Sequence, residues 1–458
     1  MMRTGKLINF LILIFILSFV SCGGDDDNAP IDGDSDSDDL VEMDGDLEES
    51  SEQDADPEVV EEQTDGDMDE EIEIAEEDGE HPPYEDAQAL MVKGPYIQKV
   101  TETEVNIAWE SSLFSSARLE LWLEDEEPDT YSGKSWKIEG DIWLDMPKAP
   151  TPDGWQNIVK VEGLEQGTVY NYRIVSLEEP SEDFHFSTPE KGHYFKLVAY
   201  GDSRSNHDIH SLVTEAIAAE DPDIVLHSGD FVERGWYLDH WQAFFDSIST
   251  FDSSVPFVGS FGNHEAGGMS LFAGYFSSFF EVTDDRPVGS TAYRWGDVFV
   301  VSINTERIQD PGSKENDWMR EQFDSVKDDD SVSYRFLIFH KPYYTWSGHK
   351  WDERFDAESK EAMHQYCIEA RINAVITGHN HLYEHFERDG ITYLTLGGGG
   401  AGLNAPEQNV VEEERQFYIR SDKVHHYATF EPDNGAMNVR VIEVPGGALI
   451  EDFEMEAR

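Results

Sequence analysis

Five short clusters carry most of the residue types in this chain that can hold metal ions. In order they are Gly201-Asp202-Ser203-Arg204, Gly229-Asp230-Phe231-Val232-Glu233-Arg234-Gly235, Gly262-Asn263-His264-Glu265, His340-Lys341-Pro342 and Gly378-His379-Asn380-His381. Carboxylate, amide and imidazole donors without a thiolate suit Fe, Mn or Zn rather than a soft metal. Two such ions about 3.5–4 Å apart are most simply held by a bridging carboxylate with further donors on each. A pair of this kind lowers the pKa of a bound water towards neutrality and clamps the attacking and leaving oxygens of a phosphoryl centre. Each cluster alone is a weak signal, and their conjunction in one chain is a strong one. His227, His240, His385 and His425 read as satisfied core or surface histidines, whereas His340, His379 and His381 read as ligands.

The elements around these clusters have the pattern of an α/β fold. Apolar runs at 195–200, 224–227, 299–303, 336–340, 374–377 and 392–396 predict strands, and 212–220 and 236–248 predict helices. Most of the polar groups sit at or just after strand ends, where α/β folds place their sites. Four clusters have a Gly directly before the candidate ligand, which lets the backbone turn sharply so that the side chain faces a shared cavity. Gly397 to Gly400 read as a close backbone approach beside the site, since no nucleotide-loop spacing surrounds them. Tyr343, Tyr344, Trp346 and Trp351 read as cleft wall or as packing, and Cys367 as a buried small apolar residue in a helical stretch, 361–371.

Three segments precede this region. Residues 89–190 show short alternating runs (104–109, 117–122, 155–161, 170–175) separated by turn signals, which predicts a β-sandwich of roughly a hundred residues. Residues 22–88 form an acidic tract that includes Asp32-Gly33-Asp34 and Asp65-Gly66-Asp67. Residues 25–91 contain no Lys or Arg and supply roughly half of the net charge of −65. Such a composition cannot bury enough apolar surface to offset its ordering entropy, so a solvated tether is expected rather than a calcium site. Residues 1–21 have a basic start (Arg3, Lys6) and an apolar run over 7–20, too short to span a membrane and suited to an export signal. The run ends in Phe19-Val20-Ser21-Cys22, which resembles the lipobox of bacterial lipoproteins and implies a lipid on Cys22 and a periplasmic or cell-surface location. A charge this negative argues against nucleic acid and anionic lipid heads as partners and is compatible with cation binding, while the phosphoryl chemistry of the five clusters makes a small phosphorylated molecule the expected partner.

Together the five clusters resemble those of calcineurin-like metallophosphoesterases. With the preceding sandwich, the chain resembles purple acid phosphatases over most of 89–456. Lys93-Gly94-Pro95-Tyr96-Ile97-Gln98 is similar to the start of their N-terminal domain, and Gly163-Leu164 with Tyr170-Asn171-Tyr172 is similar to the tyrosine-bearing turn of fibronectin type III domains. The resemblance implies a fibronectin III-like β-sandwich (89–190) followed by an α/β metallophosphoesterase domain (191–458), a two-sheet β-sandwich flanked by helices. It implies two divalent or trivalent metal ions: Asp202 and His381 on the first, Asp230 bridging, and Asn263, His340 and His379 on the second. His264 would stabilise the transition state or protonate the leaving alcohol, and Arg234 and His349 would contact substrate. The implied reaction is hydrolysis of phosphate monoesters by attack of metal-bound hydroxide. The alternatives are a phosphodiesterase or nucleotidase on the same scaffold, or a surface binding protein that has lost turnover. Two positions depart from the pattern. Glu233 stands where purple acid phosphatases have the Tyr whose phenolate colours Fe(III), and Arg204 where many members have a His ligand. Glu233 or water then fills the gap at the first metal, or the site is looser there. Arg204 contacts phosphate or pairs with a neighbouring acid.

Overall fold

The computed structural model describes residues 89–138, 154–192, 194–266, 279–280, 287, 289–305, 313–347, 357–406 and 414–458. The expected signal segment and acidic tether, together with Trp351 and His349, lie outside the described residues. All the described elements belong to one compact unit, Gly79–Arg458.

The first eight strands are β1 (Met91–Gln98), β2 (Glu104–Ser111), β3 (Arg118–Trp122), β4 (Asp129–Ser132), β5 (Lys134–Lys137), β6 (Trp155–Glu162), β7 (Val169–Ile174) and β8 (Phe184–Ser187). They pair antiparallel in two four-stranded sheets, ordered β1-β2-β6-β5 and β4-β3-β7-β8. Alternation along a strand sends every second side chain to one face. Leu119 and Leu121 of β3 and Tyr172 and Ile174 of β7 therefore meet Val105, Ile107 and Trp109 of β2 in one core. The Tyr170 hydroxyl accepts the Glu165 N–H at 2.8 Å and ties down the turn before β7.

The remaining elements are β9 (Leu197–Tyr200), α1 (His207–Ala219), β10 (Ile224–His227), α2 (Leu238–Ile248), β11 (Phe257–Gly259), α3 (Asn263–Ala266), β12 (Thr291–Trp295), β13 (Val298–Ser302), α4 (Lys314–Ser325), β14 (Tyr334–Ile338), α5 (Ala357–Glu369), β15 (Ala374–Thr377), β16 (Tyr383–Arg388), β17 (Ile391–Leu396), β18 (Tyr418–Asp422), β19 (His425–Asp433), β20 (Ala436–Val444) and β21 (Leu449–Glu456). They form two mixed sheets, β11-β10-β9-β19-β20-β21 and β12-β13-β14-β15-β17-β16-β18. Strands β9, β10 and β11 run parallel in one, and β13, β14, β15 and β17 in the other.

The period-two alternation sorts these strands into layers. Leu197 and Ala199 of β9 join Val300, Ile338, Ile376 and Leu396 of the second sheet in a shared core. Val198 and Tyr200 face the other way, onto Val213 and Ile217 of α1 and Trp241 and Phe244 of α2. Across the molecule Val301, Leu337 and Val375 face Met319 and Phe323 of α4 and Cys367 of α5. The result is helix, sheet, sheet, helix. Side chains of the N-terminal sheets continue the inner core. Tyr172 Oη donates to Ser253 O at 2.7 Å, and Tyr96 packs on Phe245 with ring centroids 4.8 Å apart. The expected division near residue 190 is thus crossed by continuous packing.

Candidate dimetal centre

Parallel strands β9, β10 and β11 of one sheet and β14 and β15 of the other deliver their C-terminal ends to one place. Asp202 follows β9, Asp230 follows β10, Asn263 follows β11, His340 follows β14, and His379 and His381 follow β15. The turns are tight. Asp202, Asp230 and His379 have φ of 58°, 57° and 69°, the left-handed region that costs a non-glycine residue of the order of 1 kcal/mol. Side chains so held are aimed by the surrounding packing, which over-determines them. The adjacent glycines are required by close approach. A Cβ on Gly378 would meet Asp202 Oδ2 at 2.3 Å, and one on Gly262 would meet Asp230 Oδ1 at 2.3 Å. Gly397 to Gly400 serve the same end, since a Cβ on Gly397 would meet Asn380 O at 2.1 Å and one on Gly399 would meet Gly201 O at 2.4 Å.

Two groups of donor atoms result. One ligand atom each from Asp230, His340 and His379 lie within 4.8 Å of one another, as do one each from Asp202, Asp230 and His381. Asp230 belongs to both groups. Its Oδ1 lies 3.2 Å from His340 Nε2, which in turn lies 3.1 Å from Asn263 Oδ1 and 3.1 Å from His379 Nδ1. Its Oδ2 faces Arg204 Nε at 3.5 Å and His264 Nε2 at 3.9 Å. His381 Nε2 lies 3.6 Å from Asp202 Oδ1. Asp202 is oriented by the His379 N–H, which reaches its two oxygens at 2.9 and 2.8 Å.

The histidine tautomers follow from their other contacts. A carbonyl oxygen can only accept, so His340 Nδ1 donates to Ser228 O at 2.9 Å and His381 Nδ1 donates to Gly402 O at 2.7 Å. In each ring Nε2 is thereby turned towards the carboxylates, the side on which a metal-ligating imidazole offers its lone pair. Burial, with His340 adding to it, holds His379 well below the usual histidine pKa and keeps it in the neutral, ligating form. Burial pushes the Asp202 carboxyl up to about 7, opposed by His340 and reinforced by Asp230. Burial also opposes ionisation of Asp230, but His340, His264 and Arg204 outweigh it and hold Asp230 well below the usual carboxylate range. Two buried carboxylates, an amide oxygen and three imidazoles converging in this way fit a pair of borderline cations such as Fe, Mn or Zn.

Of the expected substrate contacts, His264 is at the centre. Its Nδ1 donates to Glu233 O at 2.6 Å, leaving Nε2 on the side of Asp230. Arg234 is exposed, with its guanidinium over the Tyr237 ring at 5.7 Å. Its backbone turns outward there, bonded through its N–H to His240 Nδ1 at 3.1 Å. The guanidinium that reaches the carboxylates is that of Arg204, whose Nη1 donates to Glu233 Oε2 at 2.7 Å. At Arg204, of the two roles left open, the ion pair with a neighbouring acid is present. His349 lies outside the described residues. His227 is a core residue, stacked on Phe231 with centroids 4.2 Å apart, and His385 pairs with Glu451 at 3.2 Å.

Two supports had no role assigned from sequence. The fully buried Glu265 carboxylate accepts the N–H groups of Asp230 at 3.0 Å, Phe231 at 2.9 Å, Val232 at 3.3 Å and Gly262 at 2.9 Å. It thus ties the loop of Asp230 to the loop of Asn263, and burial with the nearby Asp230 charge pushes its carboxyl up to about 8. The available signal was an acidic residue inside a glycine-framed, otherwise ligand-bearing turn. Glu384, also buried, accepts Thr345 Oγ1 at 2.7 Å, and Thr345 Oγ1 accepts Asn380 Nδ2 at 2.7 Å. This chain joins the loop after His340 to the turn between His379 and His381, and no sequence motif marks it.

Comparison with known proteins agrees with this geometry. The family model for calcineurin-like phosphoesterases matches residues 183–383. Among curated proteins of Arabidopsis thaliana, the chain is 24% identical over 263 residues to one named "Probable purple acid phosphatase 20", covering 54% of this chain and 61% of that one. It is 25% identical over 288 residues to purple acid phosphatase 23, covering 53% of this chain and 62% of the other. The chain thus spans about three fifths of the length of these relatives. Among solved structures, purple acid phosphatase PPD1 of yellow lupin superposes with a TM-score of 0.69 at 17% identity, over 79% of this chain and 74% of that one. A structure of PhoD superposes with a TM-score of 0.57 at 13% identity, over 79% of this chain and 90% of its own. At these identities the two structures speak for the fold. Residues 183–383 thus match the calcineurin-like phosphoesterase domain, and purple acid phosphatases are among the chain's homologues and structural neighbours.

Proposed function

We propose that the protein is a dimetal phosphoesterase that hydrolyses phosphate monoesters. The observation that carries this reading is Asp230, whose carboxylate is shared by two groups of candidate ligands. In this reading Asp202 and His381 complete the first group, and Asn263, His340 and His379 complete the second. When bound, the cations supply a nucleophile at neutral pH and neutralise charge on the phosphoryl oxygens. The protein's part is to hold the donors in strained, buried turns and to exclude competing geometries. His264 is fixed by its bond to Glu233 O, so its Nε2 is presented to the reacting centre, where the protonated ring donates to the leaving oxygen.

The carboxylates of the acidic tract and the apolar run ahead of Cys22 support a second proposal, that the protein is exported and held off a bacterial membrane by a lipid on Cys22. Labelling with a radioactive fatty acid, lost in Cys22→Ser, tests the anchor.

The activity test is the rate on matched aryl phosphate mono- and diesters after loading with Mn, Zn or Fe. A higher monoester rate supports the reading, and a higher diester rate moves the assignment to a phosphodiesterase. A folded, metal-loaded protein without turnover on either would favour the binding-protein alternative.

A further inference from the structure

Arg204 lies against the atoms of the first ligand group. Its Nε is 3.5 Å from Asp230 Oδ2, and its Nη2 is 3.5 Å from His381 Nε2. The latter atom carries the ring's lone pair, because His381 Nδ1 donates to Gly402 O. A cation in the first group would need the same carboxylate oxygen and the same lone pair. The guanidinium is also latched from outside, since Nη1 donates to Glu233 Oε2 at 2.7 Å. Its side chain is only 18% exposed, so the charge is poorly screened by solvent. Glu233, the acid at the position where a further ligand was expected, is thereby engaged by Arg204. The second group uses the other oxygen of that carboxylate: Asp230 Oδ1 lies 3.2 Å from His340 Nε2, which lies 3.1 Å from Asn263 Oδ1 and 3.1 Å from His379 Nδ1.

We propose that Arg204 is a tethered cation that competes with the first metal ion, so that the two metal positions are unequal: the second fills tightly, and the first fills only when the guanidinium is displaced towards solvent or onto a substrate oxyanion. This rests on the dimetal reading above and makes that centre responsive to metal supply. At a metal concentration that fills only the second position, the protein holds one ion and Arg204 neutralises the carboxylates of the other. Displacement leaves the guanidinium beside the centre with its donors available, a geometry suited to a phosphoryl oxygen.

The test is calorimetric titration of the metal-free full-length protein with Mn2+ alone, with circular dichroism and thermal melting to establish that each variant is folded. The wild type is expected to show one tight equivalent and a second at least about tenfold weaker, a gap set by repulsion between a guanidinium and a dication in a poorly screened site. Arg204→Met, which keeps bulk and removes charge, is expected to tighten the second equivalent about tenfold or more. Arg204→His, which adds an imidazole at that position, is expected to tighten it further. Asn263→Ala should remove the tight equivalent and leave the effect of Arg204→Met on the weak one. Two equally tight equivalents in the wild type, or a weak equivalent unchanged in both folded Arg204 variants, would overturn the proposal. Absence of any tight equivalent in the wild type would instead overturn the dimetal reading on which it rests.

Discussion

Replacing Glu265 by Gln isolates what one buried carboxylate does for the centre. Its two oxygens accept four backbone N–H groups, those of Asp230 and Gly262 on Oε2 and of Phe231 and Val232 on Oε1. Gln has nearly the same shape but only one accepting oxygen. Whichever way its amide is turned, an NH2 group faces two backbone donors. Two buried N–H groups then lose their acceptors at about 1–3 kcal/mol each, or roughly 2–6 kcal/mol in all. Against a typical total stability of about 5–15 kcal/mol the variant should still fold, with a clearly lower urea midpoint. The loops that loosen carry Asp230 and Asn263, so Mn2+ affinity should fall by about 10–100-fold, as it does when supports behind metal ligands are removed. Urea unfolding and Mn2+ calorimetry on the same preparation read both effects. A Glu265→Gln protein with the wild-type midpoint and the wild-type Mn2+ affinity would refute the reasoning.

Stability of the metal-free protein should fall as pH rises from about 6.5 to about 8. Burial lifts Asp202 from 3.8 to about 7, Glu265 from 4.5 to about 8 and Glu384 from 4.5 to about 7. Below about 6.5 the buried histidines His210, His227, His379 and His426 offset these groups, because the unfolded chain protonates them and the folded one does not. Above it the folded state binds more protons than the unfolded one, which makes the slope of unfolding free energy against pH negative. A higher urea midpoint at pH 8 than at about pH 6.5, in chelator, would contradict this. The iron-loaded protein should lack an intense visible charge-transfer band, because Glu233 stands at the position of the colouring Tyr and its carboxylate is bonded to Arg204. Absorption spectroscopy of the purified Fe form decides it, and a strong visible band would count against the assignment of that position.

The parts of this architecture that could be read from sequence are those where a short apolar run stops at a glycine. Residues 224–227 and 374–377 are strands over the expected span, because strands of parallel sheets are buried on both faces and appear as continuous apolar runs. The C-terminal strands β19 to β21 were not foreseen. Half-buried sequences such as Leu449–Glu456, with four acidic residues, carry little apolar signal, and it is pairing with β9 through β19 that makes them part of the sheet. Strands β4 and β5 were missed for a like reason, being short and largely exposed. Helix α1 begins earlier than residue 212 because Asn206 accepts the Ile209 N–H and caps it, a polar start that hydrophobic periodicity does not register. In the site, residue type and spacing singled out Asp202, Asp230, Asn263, His340, His379 and His381, which the fold brings together. Which arginine faces the carboxylates depends on the direction of the turn after Asp230. That turn sends Arg234 outward and leaves the inner place to Arg204, a fact of backbone geometry rather than of spacing.

The most direct test of the central claim is aryl phosphate monoester hydrolysis by wild type and Asn263→Ala at matched, saturating Mn2+, beside the Mn2+ stoichiometry of each. The account predicts metal-dependent turnover in the wild type and loss of both the tight equivalent and most of the rate, by about 100-fold or more, in the variant. Wild-type turnover that persists in Asn263→Ala, or that survives complete removal of metal, would contradict it.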